Sequence, residues 1–146
     1  MDDTVQEHLL GFGLSFHRPA WWNTRQEGDT LVVWDEDTGT LRFTVFRPEA
    51  AGFELEGYLD SVHEDERRAG RSPLRRALGG RRFEYWTQEG TEGGSLSNFY
   101  VTGVNDLVVV CSFAYRPGDF VDEYDAELLD GALEEVDEML ASLSVT

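Results

Sequence analysis

His63-Glu64 opens like the helix of a zinc protease, in which a second histidine four residues on completes the metal site. That position is Arg67, so the pair reads as a solvated stretch of helix. The other two histidines, His8 and His17, are too widely spaced for a local ligand signature. His17, beside Arg18-Pro19 at a strand end, has the chemistry of a general base, yet spacing pairs no serine or cysteine with it. Cys111 falls in the apolar run Leu107-Val108-Val109-Val110-Cys111. A thiol buried there is a small hydrophobe with a raised pKa and little reactivity. Neither Cys111 nor any serine lies in a Gly-x-Ser-x-Gly elbow. Asp35-x-Asp37-x-Gly39 resembles the first half of a calcium loop, but the position that should supply a bidentate glutamate is Phe46. Turn chemistry explains it better, with Gly39 free to take positive φ. Gly90-Thr91-Glu92-Gly93-Gly94-Ser95 is glycine-rich but has no lysine, opens a strand, and is flanked by acids that repel phosphate; it reads as a hairpin tip. These residues predict no catalytic centre, no cofactor and no metal ion.

The least even feature of the chain is its charge. Seven of twelve arginines, Arg67, Arg68, Arg71, Arg75, Arg76, Arg81 and Arg82, occupy one stretch without an acid, in a chain of 29 acids, no lysine and net charge −17. Two readings stay open. The arginines pair with acids elsewhere, the closing helix among them, and stabilise the fold modestly. Alternatively they form a basic patch for an acidic peptide, a phosphate or a partner subunit. The closing segment, Asp122 to Glu138, carries nine acids, eight of them read onto one helix face, and no base; it is a solvated face or an imitation polyanion that captures a basic protein. The net charge disfavours nucleic acid and anionic membranes and favours a basic protein partner; a homodimer is compatible with it.

At 146 residues, 40% apolar and 12% aromatic, the chain is expected to form a single domain, 1–146, with a real core. No stretch approaches the roughly 20 apolar residues of a membrane helix. Met1-Asp2-Asp3-Thr4 has neither the basic nor the apolar region of a signal peptide, and one cysteine fits a reducing compartment, so the expected location is cytoplasmic.

Period-two alternation predicts strands over 11–17, 31–34 and from Leu41 through Val45, with Ala20-Trp21-Trp22 as a turn whose tryptophans plug one end of the core. Phe53 to Arg68 shifts to helical spacing through Leu55, Leu59 and Val62, and Gly70 suits its C-terminal cap. Four strands follow, near 74–78, 82–88, 95–104 and 107–115, separated by Gly79-Gly80, Gly93-Gly94 and Asn105-Asp106. The most apolar of them, Leu107 onward, belongs at the sheet centre. From about Val121 to Leu143 an amphipathic helix closes the chain, with Gly131 placed for close packing. The expected class is α+β: a mostly antiparallel sheet of about six or seven strands flanked by two helices, in the order β-β-β-α-β-β-β-β-α, with the C-terminal helix packed on the sheet.

Phe12-x-Leu14-x-Phe16-x-x-Pro19-x-Trp21, Gly39-x-Leu41-x-Phe43 and a closing helix ending Met139-Leu140-Ala141-Ser142-Leu143-Ser144-Val145 together resemble the PsbP/DcrB-like superfamily of α/β/α sandwiches. That resemblance spans most of the chain. It implies a non-enzymatic role, since members include photosystem II accessory subunits, a nuclear-import factor, envelope lipoproteins and effector chaperones, whose common thread is protein binding. It carries no functional position over to this chain. The expectation is a protein-binding module, adaptor- or chaperone-like, using a sheet face or edge with aromatics from Trp21, Trp22, Trp86, Phe99 and Tyr100. The alternatives are an acidic immunity or inhibitor protein that neutralises a basic toxin, and a small hydrolase or ligand-binding enzyme.

Overall fold

The computed structural model describes residues 3–9, 11–49 and 54–145. Its elements run β1 (Thr4–Leu9), β2 (Leu14–Pro19), β3 (Asn23–Glu27), β4 (Thr30–Asp35), β5 (Gly39–Phe46), α1 (Leu55–Arg68), β6 (Leu74–Leu78), β7 (Arg81–Glu89), β8 (Leu96–Val104), β9 (Leu107–Tyr115), a 3-10 turn (Pro117–Asp119), α2 (Glu123–Ala141) and β10 (Ser144–Val145). Seven strands form one sheet in the order β3-β4-β5-β9-β8-β7-β6, with every pairing antiparallel. A second, three-stranded sheet has the order β1-β2-β10.

The expected α+β class, the seven-stranded sheet and the packed C-terminal helix are all present. β9 lies at the sheet centre, as its apolar run requires. The order of elements is richer than predicted. β1, β3 and β10 are additional strands, and Leu14–Pro19 pairs in the small sheet rather than the large one.

Alternation divides the large sheet into two faces. On one face Leu31, Val33, Leu41, Phe43, Tyr100, Val109, Cys111 and Phe113 pack with Leu14 and Phe16 of β2 and with Val136, Met139 and Leu140 of α2. Phe16 stacks on Phe43 at 4.4 Å between ring centres. The backbone N–H of His17 donates to Ser142 Oγ at 2.8 Å, tying β2 to the end of α2. On the other face Leu59 of α1, fully buried, seats against Trp86, Val101 and Val108. Burying a leucine side chain is worth roughly 1.5–3 kcal/mol.

Three glycines show what the backbone demands. Gly70 takes φ +89° just past α1, and its N–H reaches Arg67 O, closing the helix as expected. Gly39, in contrast, does not adopt positive φ; a Cβ there would strike Ala114 O and the Phe113 ring, so close strand approach fixes this glycine. Gly131 faces open space, so tight packing of α2 does not account for it.

Candidate functional site

The face of the large sheet that carries α1 divides into a filled half and an open half. In the filled half the phase of β7 puts Arg82, Glu84 and Trp86 together, opposite Phe83 and Tyr85. Glu84 is 0% exposed. Its Oε1 accepts from Arg82 Nη2 at 2.6 Å and Nε at 3.1 Å, and from Arg75 Nε at 3.5 Å. Its Oε2 lies 3.0 Å from His63 Nδ1 on α1. Arg82 also reaches Asp60 at 2.7 Å and Glu56, both on α1. The network is a polar rivet that fixes the helix to the sheet. Burial opposes the charge of Arg82, but its bonds to Glu84, Asp60 and Glu56 outweigh that and hold the guanidinium above its ordinary value. The same bond from Arg82 pulls the Asp60 carboxyl below the usual range. His63 is therefore not the solvated helix residue its sequence context suggests: α1 turns it inward onto a buried carboxylate.

The seven clustered arginines do not form one patch. Alternation along β6 sends neighbours to opposite faces. Arg75 and Arg82 serve α1, whereas Arg76 makes paired bonds to Asp137 of α2 at 2.8 and 3.1 Å and lies 5.2 Å from the centre of the Tyr85 ring. Arg81 donates to Leu143 O at 2.7 Å. Arg67 and Arg68 meet Glu64, and Arg71 meets Glu66 at 2.7 Å. Each of the seven thus has an acceptor inside the chain.

The tryptophans also part company. Trp22 is 1% exposed and plugs the core against Phe113, with its indole N–H 3.3 Å from Glu135, so it presents no surface. Trp21 is 58% exposed. Trp86 and Tyr100 are buried on opposite faces of the sheet, which leaves Phe99 as the half-exposed aromatic, stacked on Trp86 at 5.4 Å.

The open half begins where α1 ends. Register aligns Phe99 with Ser112 and Ser112 with Arg42, while Ser97, Ala114 and Thr40 align in the next row. Small side chains on three adjacent strands leave a groove of about 490 Å³. The β7–β8 hairpin tip and the 3-10 turn wall it at the end of the sheet. The tip is held by Gly90 N–H to Ser95 O at 3.0 Å, and Arg116 clamps it through Glu92 at 2.8 Å and Gly93 O at 3.3 Å. Glu89 and Asp119 add negative charge to the rim.

The remaining reactive groups lie elsewhere. Cys111 points into the core, where burial pushes its thiol up. His8 and His17 are exposed on the small sheet. Among the described residues no three His, Cys, Asp or Glu side chains gather to hold a metal ion. Asp35 accepts from Thr38 Oγ1 at 2.9 Å within the β4–β5 turn, as turn chemistry predicts. No helix among the described residues is long and apolar enough to cross a membrane.

No protein-family model and no curated protein sequence matches the chain. Solved structures do match its fold. A Bacteroides thetaiotaomicron VPI-5482 protein superposes with a TM-score of 0.75 at 20% identity, covering 100% of this chain and 49% of that one. This chain therefore spans about half the length of that protein. The PsbP protein (CyanoP) of Synechocystis sp. PCC 6803 superposes with a TM-score of 0.58 at 11% identity, covering 100% of this chain and 94% of that one. The chain has a PsbP-like α/β fold, and at these identities the likeness is one of fold alone.

Proposed function

We propose that the chain is a non-enzymatic protein-binding module, adaptor- or chaperone-like, that receives a segment of a basic partner protein across the open half of its sheet. The observation that carries this is the groove: α1 covers only part of a sheet face, and the rest is a polar floor with an aromatic side. Its volume falls within the roughly 300–1,000 Å³ of ligand sites. Neither histidine nor cysteine lines it, and the one histidine held by a carboxylate, His63, shares that carboxylate with two guanidiniums. A net charge of −17 steers basic proteins toward the chain and keeps nucleic acid away. A single buried thiol fits a cytoplasmic setting.

The test fills the groove. Ala114→Trp places an indole on the floor, on an open face where the fold has room for it. Cross-linked capture in the native host should yield a partner that wild type retains and Ala114→Trp loses, at an unchanged melting temperature. Capture indifferent to the substitution would remove the groove from the function.

A second reading rests on α2. Glu123, Glu127, Asp130, Glu134 and Glu138 run down its exposed side, and among the described residues no guanidinium reaches them. Capture of a basic toxin there would collapse above ~0.3 M salt, where screening shortens to a few ångströms. Binding in the groove, which also has the aromatic side of Phe99 to pack on, would fall less steeply with salt.

A further inference from the structure

Arg42 stands apart from every other arginine of the chain. Eleven of the twelve have a hydrogen-bond acceptor or carboxylate partner within the protein. Among the described residues Arg42 has none, although 29 acids surround it in sequence. Despite that excess of carboxylates, this guanidinium is unmatched among the described residues, in the floor of the groove. The strand register explains how. Its cross-strand neighbours are Ser112 and Val32, and Thr40 and Thr44 flank it along β5, so no carboxylate lies beside it on the sheet. The hydroxyls of Ser112 and Thr40 add donors to the guanidinium fork.

The rim limits what can be received. Arg116 is already matched by Glu92, while Glu89 and Asp119 have no cation partner among the described residues. One negative charge at Arg42 is favourable; a second, from a phosphate dianion or a run of acids, meets like charge. A guanidinium binds a carboxylate through two parallel N–H···O bonds, the geometry it satisfies best. A basic partner is poor in acidic side chains, but every polypeptide carries one terminal carboxylate. A chain that ends in the groove needs no exit past the hairpin tip.

We propose that the groove reads the free C-terminal carboxylate of a basic partner polypeptide, with Arg42 as its anchor and Ser112 and Thr40 as supporting donors. This rests on the protein-binding reading above and names the group that the groove recognises.

The probe is an N-acetylated hexapeptide of alternating alanine and arginine ending in phenylalanine, prepared as the free acid and as the C-terminal amide. Titrated into the ¹⁵N-labelled protein, the acid should shift the Arg42 Nε–H and the amides of Ser112 and Ala114. The amide should bind about tenfold more weakly, as should the acid to Arg42→Gln, in keeping with the worth of a charged hydrogen-bond pair. Arg42→Lys should recover part of the loss. Equal binding of acid and amide, or indifference to Arg42→Gln, overturns the proposal. So does failure of both peptides to bind, or equal binding of an amidated peptide with one internal glutamate. If host-partner capture is still lost with Ala114→Trp in any of those cases, the carboxylate falls and the protein-binding groove stands. If capture is also unaffected, both fall.

Discussion

Two arginines on one sheet face, Arg82 beneath α1 and Arg42 beyond its end, have opposite circumstances. Arg82 is 14% exposed at its side chain and binds three carboxylates. Arg42 is exposed and binds none among the described residues. The surroundings follow the same division. Gly103 lies under Leu55 of α1, so closely that a Cβ would collide with the leucine, whereas Ser112 and Ala114 floor an open groove. The filled half uses charge to hold a helix in register; the open half keeps a charge in reserve. An unmatched guanidinium in an acidic protein therefore says more about function than seven matched ones.

Breaking the filled half should give the largest effect. Glu84→Ala takes the fully buried carboxylate from Arg82, Arg75 and His63; Asp60 and Glu56 still reach Arg82, so the loss should sit at the low end of the about 3–5 kcal/mol for breaking a buried ion pair. Urea unfolding should show a midpoint lowered accordingly. The pair Arg82→Met with Glu84→Leu should recover most of the loss, because an apolar replacement needs no desolvation of charge. If Glu84→Ala unfolds like wild type, the network does not secure α1.

Acid should weaken the same half in a defined window. Asp60 has a folded pKa below its reference value of 3.8, because Arg82 donates to it. Its contribution is present above the unfolded value and is lost as pH falls through the folded one. Asp60→Asn should therefore be less stable than wild type at neutral pH, with the gap closing below about pH 4. A gap that stays constant from pH 7 to pH 2.5 would show that Asp60 carries no linked stability.

Much of this division was legible in the sequence and much was not. The four hairpin strands β6–β9 announce themselves through alternation and through turns in which Gly79, Gly80, Gly94 and Asn105 take positive φ. The amphipathic repeat gives α2. β3 carries no such signal: Asn23-Thr24-Arg25-Gln26-Glu27 has no apolar residue, since an edge strand is held by backbone pairing and by contacts such as Arg25 over Trp34. β10 is two residues long, too short for any period. The burial of Glu84 was half legible, because alternation sets it beside Trp86. That an α-helix covers this face, and so turns an acid into a buried anchor, follows from where α1 lands. The groove was invisible, since it depends on Phe99, Ser112 and Arg42 falling in one row across strands far apart in sequence.

The smallest expected effect sharpens the comparison most. Arg82→Gln and Arg42→Gln make the same chemical change in one sheet. The first strips a half-buried network of its central cation and leaves Glu84 to Arg75 and His63; a loss of about 2 kcal/mol or more should follow. The second removes a guanidinium that bonds to nothing among the described residues, so stability should stay within about 0.5 kcal/mol of wild type. Paired thermal melts measure both. An equal loss in the two variants would mean that Arg42 is structurally engaged, and the open half of the sheet would then hold no charge in reserve.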